Sequence, residues 1–98
     1  MAKFMTRVEL HDATYNDYLQ LHGFMRQEGF TTTIRGDDGI VYQLPPAEYH
    51  VEAPWTAVQA RDVASRAAHK TQKTFAVLTT EYSAAAWRGL SKAQMARA

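Results

Sequence analysis

Cysteine is absent from these 98 residues, which excludes disulfides and thiolate metal centres and leaves no redox signal for a cellular compartment. No apolar run approaches the ~20 residues of a membrane-spanning helix. The first residues lack the charged-then-apolar pattern of a secretory signal. A cytoplasmic protein with no membrane partner is the expectation. Linkers, low-complexity tracts and internal repeats are missing too, so residues 1–98 are expected to form one domain with a thin core. No Gly-rich phosphate loop, Walker pattern or nucleophile elbow occurs, and no small-molecule cofactor is expected.

Net charge is only +1, yet it is unevenly spread. Residues 1–54 hold four Lys/Arg against eight Asp/Glu, whereas residues 55–98 hold seven against two. That asymmetry reads as a phosphate-facing second half, as self-complementary association in a homodimer, or as two solvated faces that differ.

Phe4, Thr6, Val8 and Leu10 alternate with Met5, Arg7, Glu9 and His11, the period of a half-buried first strand. Asp12 or Thr14 can cap the following helix by accepting its orphan amides. Tyr15, Tyr18, Leu21 or His22, and Met25 then mark the apolar face of a helix reaching Glu28. Gly23 within it is expected to permit close packing on the sheet, and Gly29 supplies a left-handed stop. Phe30, Thr32 and Ile34 begin a second strand, Gly36-Asp37-Asp38-Gly39 is turn chemistry, and Ile40, Tyr42 and Leu44 resume the alternation. Pro45-Pro46 removes two amide donors and must lie at a bulge or an edge, after which Tyr49 and Val51 continue the inward face. Pro54, Trp55 and Thr56 open a second helix, with Ala60, Val63, Ala64 and Ala67 as a stripe of small residues. Residues 73–80, KTFAVLTT, predict a final strand apolar enough to be central or well covered.

Strand, helix, strand, strand, helix, strand predicts an α+β domain. Right-handed crossovers make it a ferredoxin-like βαββαβ fold, a four-stranded antiparallel sheet with two helices on one face. Residues 81–98 form a C-terminal extension, read as a short helix from its alanines or as an edge strand around Ala86-Trp87-Arg88-Gly89-Leu90.

Leu19-Gln20-Leu21-His22, Met25, Gly29-Phe30, the Asp38-Gly39-Ile40 turn, Gln43-Leu44 and Tyr49 together resemble the GhoS-type antitoxins of type V toxin–antitoxin systems, over roughly residues 7–80. Thr80-Glu81 and Trp87 to Leu90 resemble the tail of the phage and proteobacterial branch. The resemblance implies a ferredoxin-like dimer related to CRISPR-associated adaptation nucleases. It also implies an endoribonuclease that silences a toxin by cutting its messenger RNA. Where that family's first helix can present Arg, this chain has His22, a cation only below a pKa near 6.5.

Metal-independent RNA cleavage needs a base, an acid and a cation for the phosphorane. His22 and His11 are the candidate acid–base groups, with Arg7 and Arg35 as cations that the open sheet face could present beside His11. His11-Asp12 reads in two ways: the carboxylate orients His11 or takes Mg²⁺, or Asp12 is simply the helix cap. Glu48, His50 and Glu52 share a strand face that is a weak divalent site or a solvated surface, and no metal is assigned. Arg66, His69, Lys70 and Lys73 form one stripe, either complementing a helix C-terminus or contacting RNA phosphates. Arg7, Arg35, Arg66, Lys70 and Lys73 are thus the candidate RNA-binding residues. Tyr15, Tyr18, Phe30, Tyr42, Tyr49 and Phe75 are expected in the core, while Trp55 and Trp87 at element ends could stack on a base or anchor a partner. The alternative to the ribonuclease is a non-catalytic dimeric module that binds protein or RNA.

Overall fold

Along β1 (Ala2–Leu10) the side chains of Phe4, Thr6, Val8 and Leu10 are buried and those of Arg7 and Glu9 exposed, as the alternation dictates. The structure, a computed structural model of the chain, describes residues 1–93. Helix α1 (Tyr15–Gln27) starts with a capping box: the Thr14 hydroxyl accepts the Asp17 amide, and the Asp17 carboxylate accepts the Thr14 amide at 2.9 Å. Such a cap contributes about 1 kcal/mol. Thr14 takes the role open to Asp12, which sits just upstream at a φ of 53°.

Gly29, at φ 98°, closes α1. Its amide reaches the Arg26 carbonyl and the Phe30 amide the Met25 carbonyl, both at 3.0 Å, the paired bonds of a Schellman stop. Helix α2 (Ala57–His69) repeats the start, with Thr56 and Gln59 as its reciprocal pair.

Between the helices, β2 (Thr33–Arg35) and β3 (Val41–Gln43) form a hairpin around the Gly36–Gly39 turn, where Gly39 takes φ 81°. The strand expected after that turn is split in two. Pro45 and Pro46 supply no ladder amides, Ala47 follows at φ 69°, and the chain restarts as β4 (Glu48–Ala53). After α2, β5 (Phe75–Tyr82) is the last element among the described residues.

The result is an α+β domain with a three-stranded antiparallel sheet ordered β4-β1-β5 and a separate β2-β3 ribbon. A bridge joins them, Thr31 to His50, with both backbone bonds at 2.8 Å. The last strand, expected to be central or well covered, lies at the edge with its outer face open. β1 takes the centre because it pairs on both sides, and β5 is left at the edge with Leu78 67% exposed.

Both helices lie against the face carrying Phe4, Val8, Tyr49 and Val51, and one apolar cluster unites them. Ala60, Ala64, Ala67 and Ala68 are wholly buried, and their small size lets α2 sit close to β1 and β5. Leu21 and Met25 are the buried contribution of α1. Two expectations for α1 are corrected. Tyr15 is 79% exposed, because α1 meets the end of β1 at Tyr18, whose hydroxyl takes the Leu10 amide at 2.9 Å. Tyr15, a turn earlier, lies beyond that contact. Gly23 does not ease packing either: a Cβ placed there meets nothing within 4 Å.

The tail follows neither of its expected courses completely. Residues 83–90 are irregular, and Ser91–Ala93 then run antiparallel beside β3, with Lys92 bridging Tyr42. Edge pairing thus occurs, but past the Trp87 segment; the last five residues of the expected extension lie outside the described part. Among the described residues no helix is long and apolar enough to cross a membrane.

Candidate functional site

Alternation in β4 turns Tyr49 inward and leaves His50 on the outer face, and each belongs to a histidine–tyrosine pair. On the inner side the fully buried Tyr49 places its hydroxyl 2.7 Å from His22 Nδ1, with the rings edge to face at 5.6 Å. Burial pushes the Tyr49 pKa far up, so the hydroxyl stays protonated. Burial, with the Arg26 charge one helical turn on, holds half-buried His22 below the ordinary imidazole range. The pair is therefore neutral near pH 7. Neutral imidazole can accept a proton but cannot hold a phosphate by charge.

On the outer face His50 Nε2 lies 2.6 Å from the Tyr82 hydroxyl, although Met5 of β1 stands between their strands. Lys3 Nζ sits 5.3 Å from the centre of the Tyr82 ring. Burial lowers the His50 pKa; nearby Glu52 opposes that shift and Lys3 adds to it. Tyr82 is shifted up by burial and by Glu52.

The remaining candidates are dispersed. His11 is exposed just past β1, its Nδ1 3.1 Å from Thr74 Oγ1 and its Nε2 3.7 Å from Glu9. Asp12 forms no hydrogen bond or ion pair with another described side chain. Neither joins His22, which packs on β4 through Tyr49. Among the described residues no three His, Asp or Glu side chains gather closely enough to hold a metal ion.

Most of the cationic stripe is engaged between the helices. Arg66 grips Glu28 with two bonds of 3.1 and 2.9 Å, and Lys73 Nζ is 3.7 Å from the Asp17 carboxylate. Those contacts keep both carboxyl groups below their usual range: for Glu28 the Arg66 hydrogen bonds lead, and for Asp17 the Thr14 amide does, with Lys73 a smaller cause. Lys70 Nζ lies 5.9 Å from the centre of the Phe24 ring. Arg7 stands on the open sheet face, between Glu48 of β4 and Leu78 of β5 in the register. Arg35 is not on that sheet at all. It closes β2, donates from Nη1 to the Gly39 carbonyl at 3.0 Å, and lines a groove beside the hairpin turn.

That groove, of about 620 Å³, runs between the Gly36–Asp38 turn and residues 83–87, with Lys3 and Tyr82 at the sheet end. Trp87 packs edge-on against Tyr42 at 5.5 Å, and the Tyr42 hydroxyl donates to Asp38 Oδ2 at 2.8 Å. Trp55, by contrast, tilts against Phe30 at 6.2 Å and belongs with the core.

Sequence reasoning passed over Lys3 and Tyr82, and it treated Tyr49 as core alone. The alternation through Tyr49-His50 signals that the two residues face opposite sides. It carries no information about partners 27 and 32 residues away. Comparison with protein-family models and with curated proteins gives no match.

Proposed function

We propose that this protein is a dimeric RNA-binding antitoxin, a role the GhoS resemblance supports, acting in the cytoplasm without a cofactor. Two copies join along β5, and the shared sheet turns its open face to single-stranded RNA. The carrying observation is the β5 edge. Its eight residues, FAVLTTEY, pair with β1 on one side and with no other strand among the described residues, and include no proline and no lysine. Edge strands of that length are ordinarily blunted by such residues, because a free row of amides and carbonyls recruits another strand. Exposed Leu78 and Ala76 give a second copy an apolar row to cover beside that free edge.

A four-stranded ferredoxin-like sheet is the finer reading of the same architecture. The Thr31–His50 bridge supports it, since it sets the lead-in to β2 beside β4 and implies the order β2-β4-β1-β5. Sedimentation equilibrium tests the dimer, with a mass near twice 11.1 kDa expected and a monomer at high micromolar concentration refuting it. Leu78→Lys should lower the association. A single-stranded RNA titration tests the binding; no retention at low salt would end the RNA reading.

Cleavage is a second reading, and the His22–Tyr49 pair favours it. A half-buried imidazole held neutral is the form a general base needs to take a 2′-hydroxyl proton. Purified protein incubated with mixed RNA, with and without EDTA, should then produce fragments that His22→Ala abolishes. Rate should rise with pH below the ordinary imidazole range of about 6.5 as the ring, its pKa lowered by burial, loses its proton. Intact RNA with wild type, alongside a melting temperature lowered by His22→Ala, leaves binding alone as the function.

A further inference from the structure

We propose that the groove between the β2–β3 turn and residues 83–87 docks one unpaired nucleotide of single-stranded RNA, its base on the Tyr82 and Trp87 rings and its phosphate between Lys3 and Arg35. The inference rests on the RNA-binding reading and gives it a location. The volume of about 620 Å³ falls within the usual range for a small-ligand site, roughly 300–1,000 Å³.

Its aromatic walls are fixed before any ligand arrives. Tyr82 is held at its hydroxyl by His50, 2.6 Å away, and at its ring by Lys3. Tyr42 is tied to Asp38 at 2.8 Å and carries Trp87 against its edge. Gly36 shows how tightly the turn end is packed. A Cβ there would lie 2.8 Å from Asp38 Oδ1, 3.2 Å from Tyr42 and 3.3 Å from Trp87. Fixed rings lose little entropy on stacking with a base, and every base offers a π-face. Ser83-Ala84-Ala85-Ala86, small side chains between Tyr82 and Trp87, line the groove as well.

Charge complementarity favours one nucleotide over a length of duplex. Lys3 and Arg35 contribute two cations to the lining, and Asp37 and Asp38 contribute two carboxylates. Asp38 is already engaged, by the Ile40 amide at 2.9 Å and by Tyr42. A lining with no net charge does not track a run of phosphates. It suits one phosphate at the cations, and aromatic readout of this kind needs an unstacked base.

The test is a ¹⁵N-labelled full chain titrated with a mixed-sequence single-stranded hexaribonucleotide, following the indole N–H signals of Trp87 and Trp55, assigned through Trp87→Phe. The Trp87 signal should shift and saturate while the Trp55 signal stays in place. Trp87→Ala should weaken affinity at least about fivefold, in line with the loss of one stacked base. Lys3→Gln and Arg35→Gln, both surface changes, should each weaken binding and reduce its salt dependence by about one counterion. RNA bound equally well by Trp87→Ala and Lys3→Gln, with an unmoved Trp87 signal, would overturn the groove and leave RNA binding elsewhere standing. RNA failing to bind wild type would overturn the functional reading and the groove with it. Free 5′-AMP binding as tightly as the hexamer would assign the groove to mononucleotides and overturn the RNA source.

Discussion

Tyr49→Phe removes the hydroxyl of a fully buried ring and tests whether the His22–Tyr49 pair holds the fold. Tyr49 has no exposed surface, and its hydroxyl lies 2.7 Å from His22 Nδ1. The ring stays in place in the variant, so packing against β1 and α1 is kept and only the hydrogen bond is lost. A neutral bond contributes about 0.5–1.5 kcal/mol net, and an orphaned buried partner costs about 1–3 kcal/mol. His22 is only half-buried, so water reaches part of its ring and the lower end applies. The expected loss is about 1 kcal/mol. For a domain of this size that lowers the melting temperature by about 4–8 °C. Urea denaturation at pH 7.5 should show a lower midpoint with an unchanged slope. A cycle with His22→Ala isolates the bond, since Tyr49→Phe should cost almost nothing once the imidazole is gone. A wild-type midpoint for Tyr49→Phe, or the same cost in both backgrounds, would refute the coupling of these two side chains.

Gly23→Ala should stabilise the protein by about 0.5–1 kcal/mol, because the helix gains a better former and a Cβ there meets nothing within 4 Å; thermal denaturation reads it, and a destabilised variant would mean that α1 packs more closely there. Folding stability should be full above about pH 6.5 and fall as pH drops through that value. The sign follows from His22 and His50, whose pKa values are lowered in the native state, so the unfolded chain takes up protons first; His22→Gln should flatten the slope, and an unchanged slope would remove His22 from it. Arg66→Ala should let the Glu28 carboxyl rise toward its ordinary range, since the Arg66 bonds are the leading cause of its depression; side-chain NMR titration measures this, and an unmoved Glu28 would deny the pair. Leu78→Lys should leave the monomer folded while shifting sedimentation toward 11.1 kDa, and an undiminished dimer would move the interface away from the β5 edge.

Local chemistry is what the sequence determined by itself. Thr14 and Thr56, each three residues before Asp17 or Gln59, close their capping boxes within a single turn. Gly29 ends α1 because the left-handed conformation is open to it without a Cβ penalty. Alternation in β1 and β4 assigned faces correctly, since the period of a strand is independent of its neighbours. Helical period likewise found the alanine stripe of α2.

Tertiary structure decided everything that depends on which distant segments meet. KTFAVLTT is apolar enough for a central strand, yet β1 pairs on both sides and leaves β5 at the edge. Tyr15 has the spacing of a core residue, but helical period does not say where the sheet beneath the helix ends. Arg66 and Glu28 are 38 residues apart, and only the packing of α2 on α1 turns a nominal phosphate stripe into a connection between helices. The candidate site was legible least of all. Lys3, Arg35 and the Tyr82–Trp87 segment come from three separate stretches of chain; Arg35 and Trp87 were legible as candidates, but that they line one groove with Lys3 and Tyr82 appears only after the sheet, the hairpin turn and the tail are folded together. Such convergence arises from long-range packing, which no local periodicity encodes.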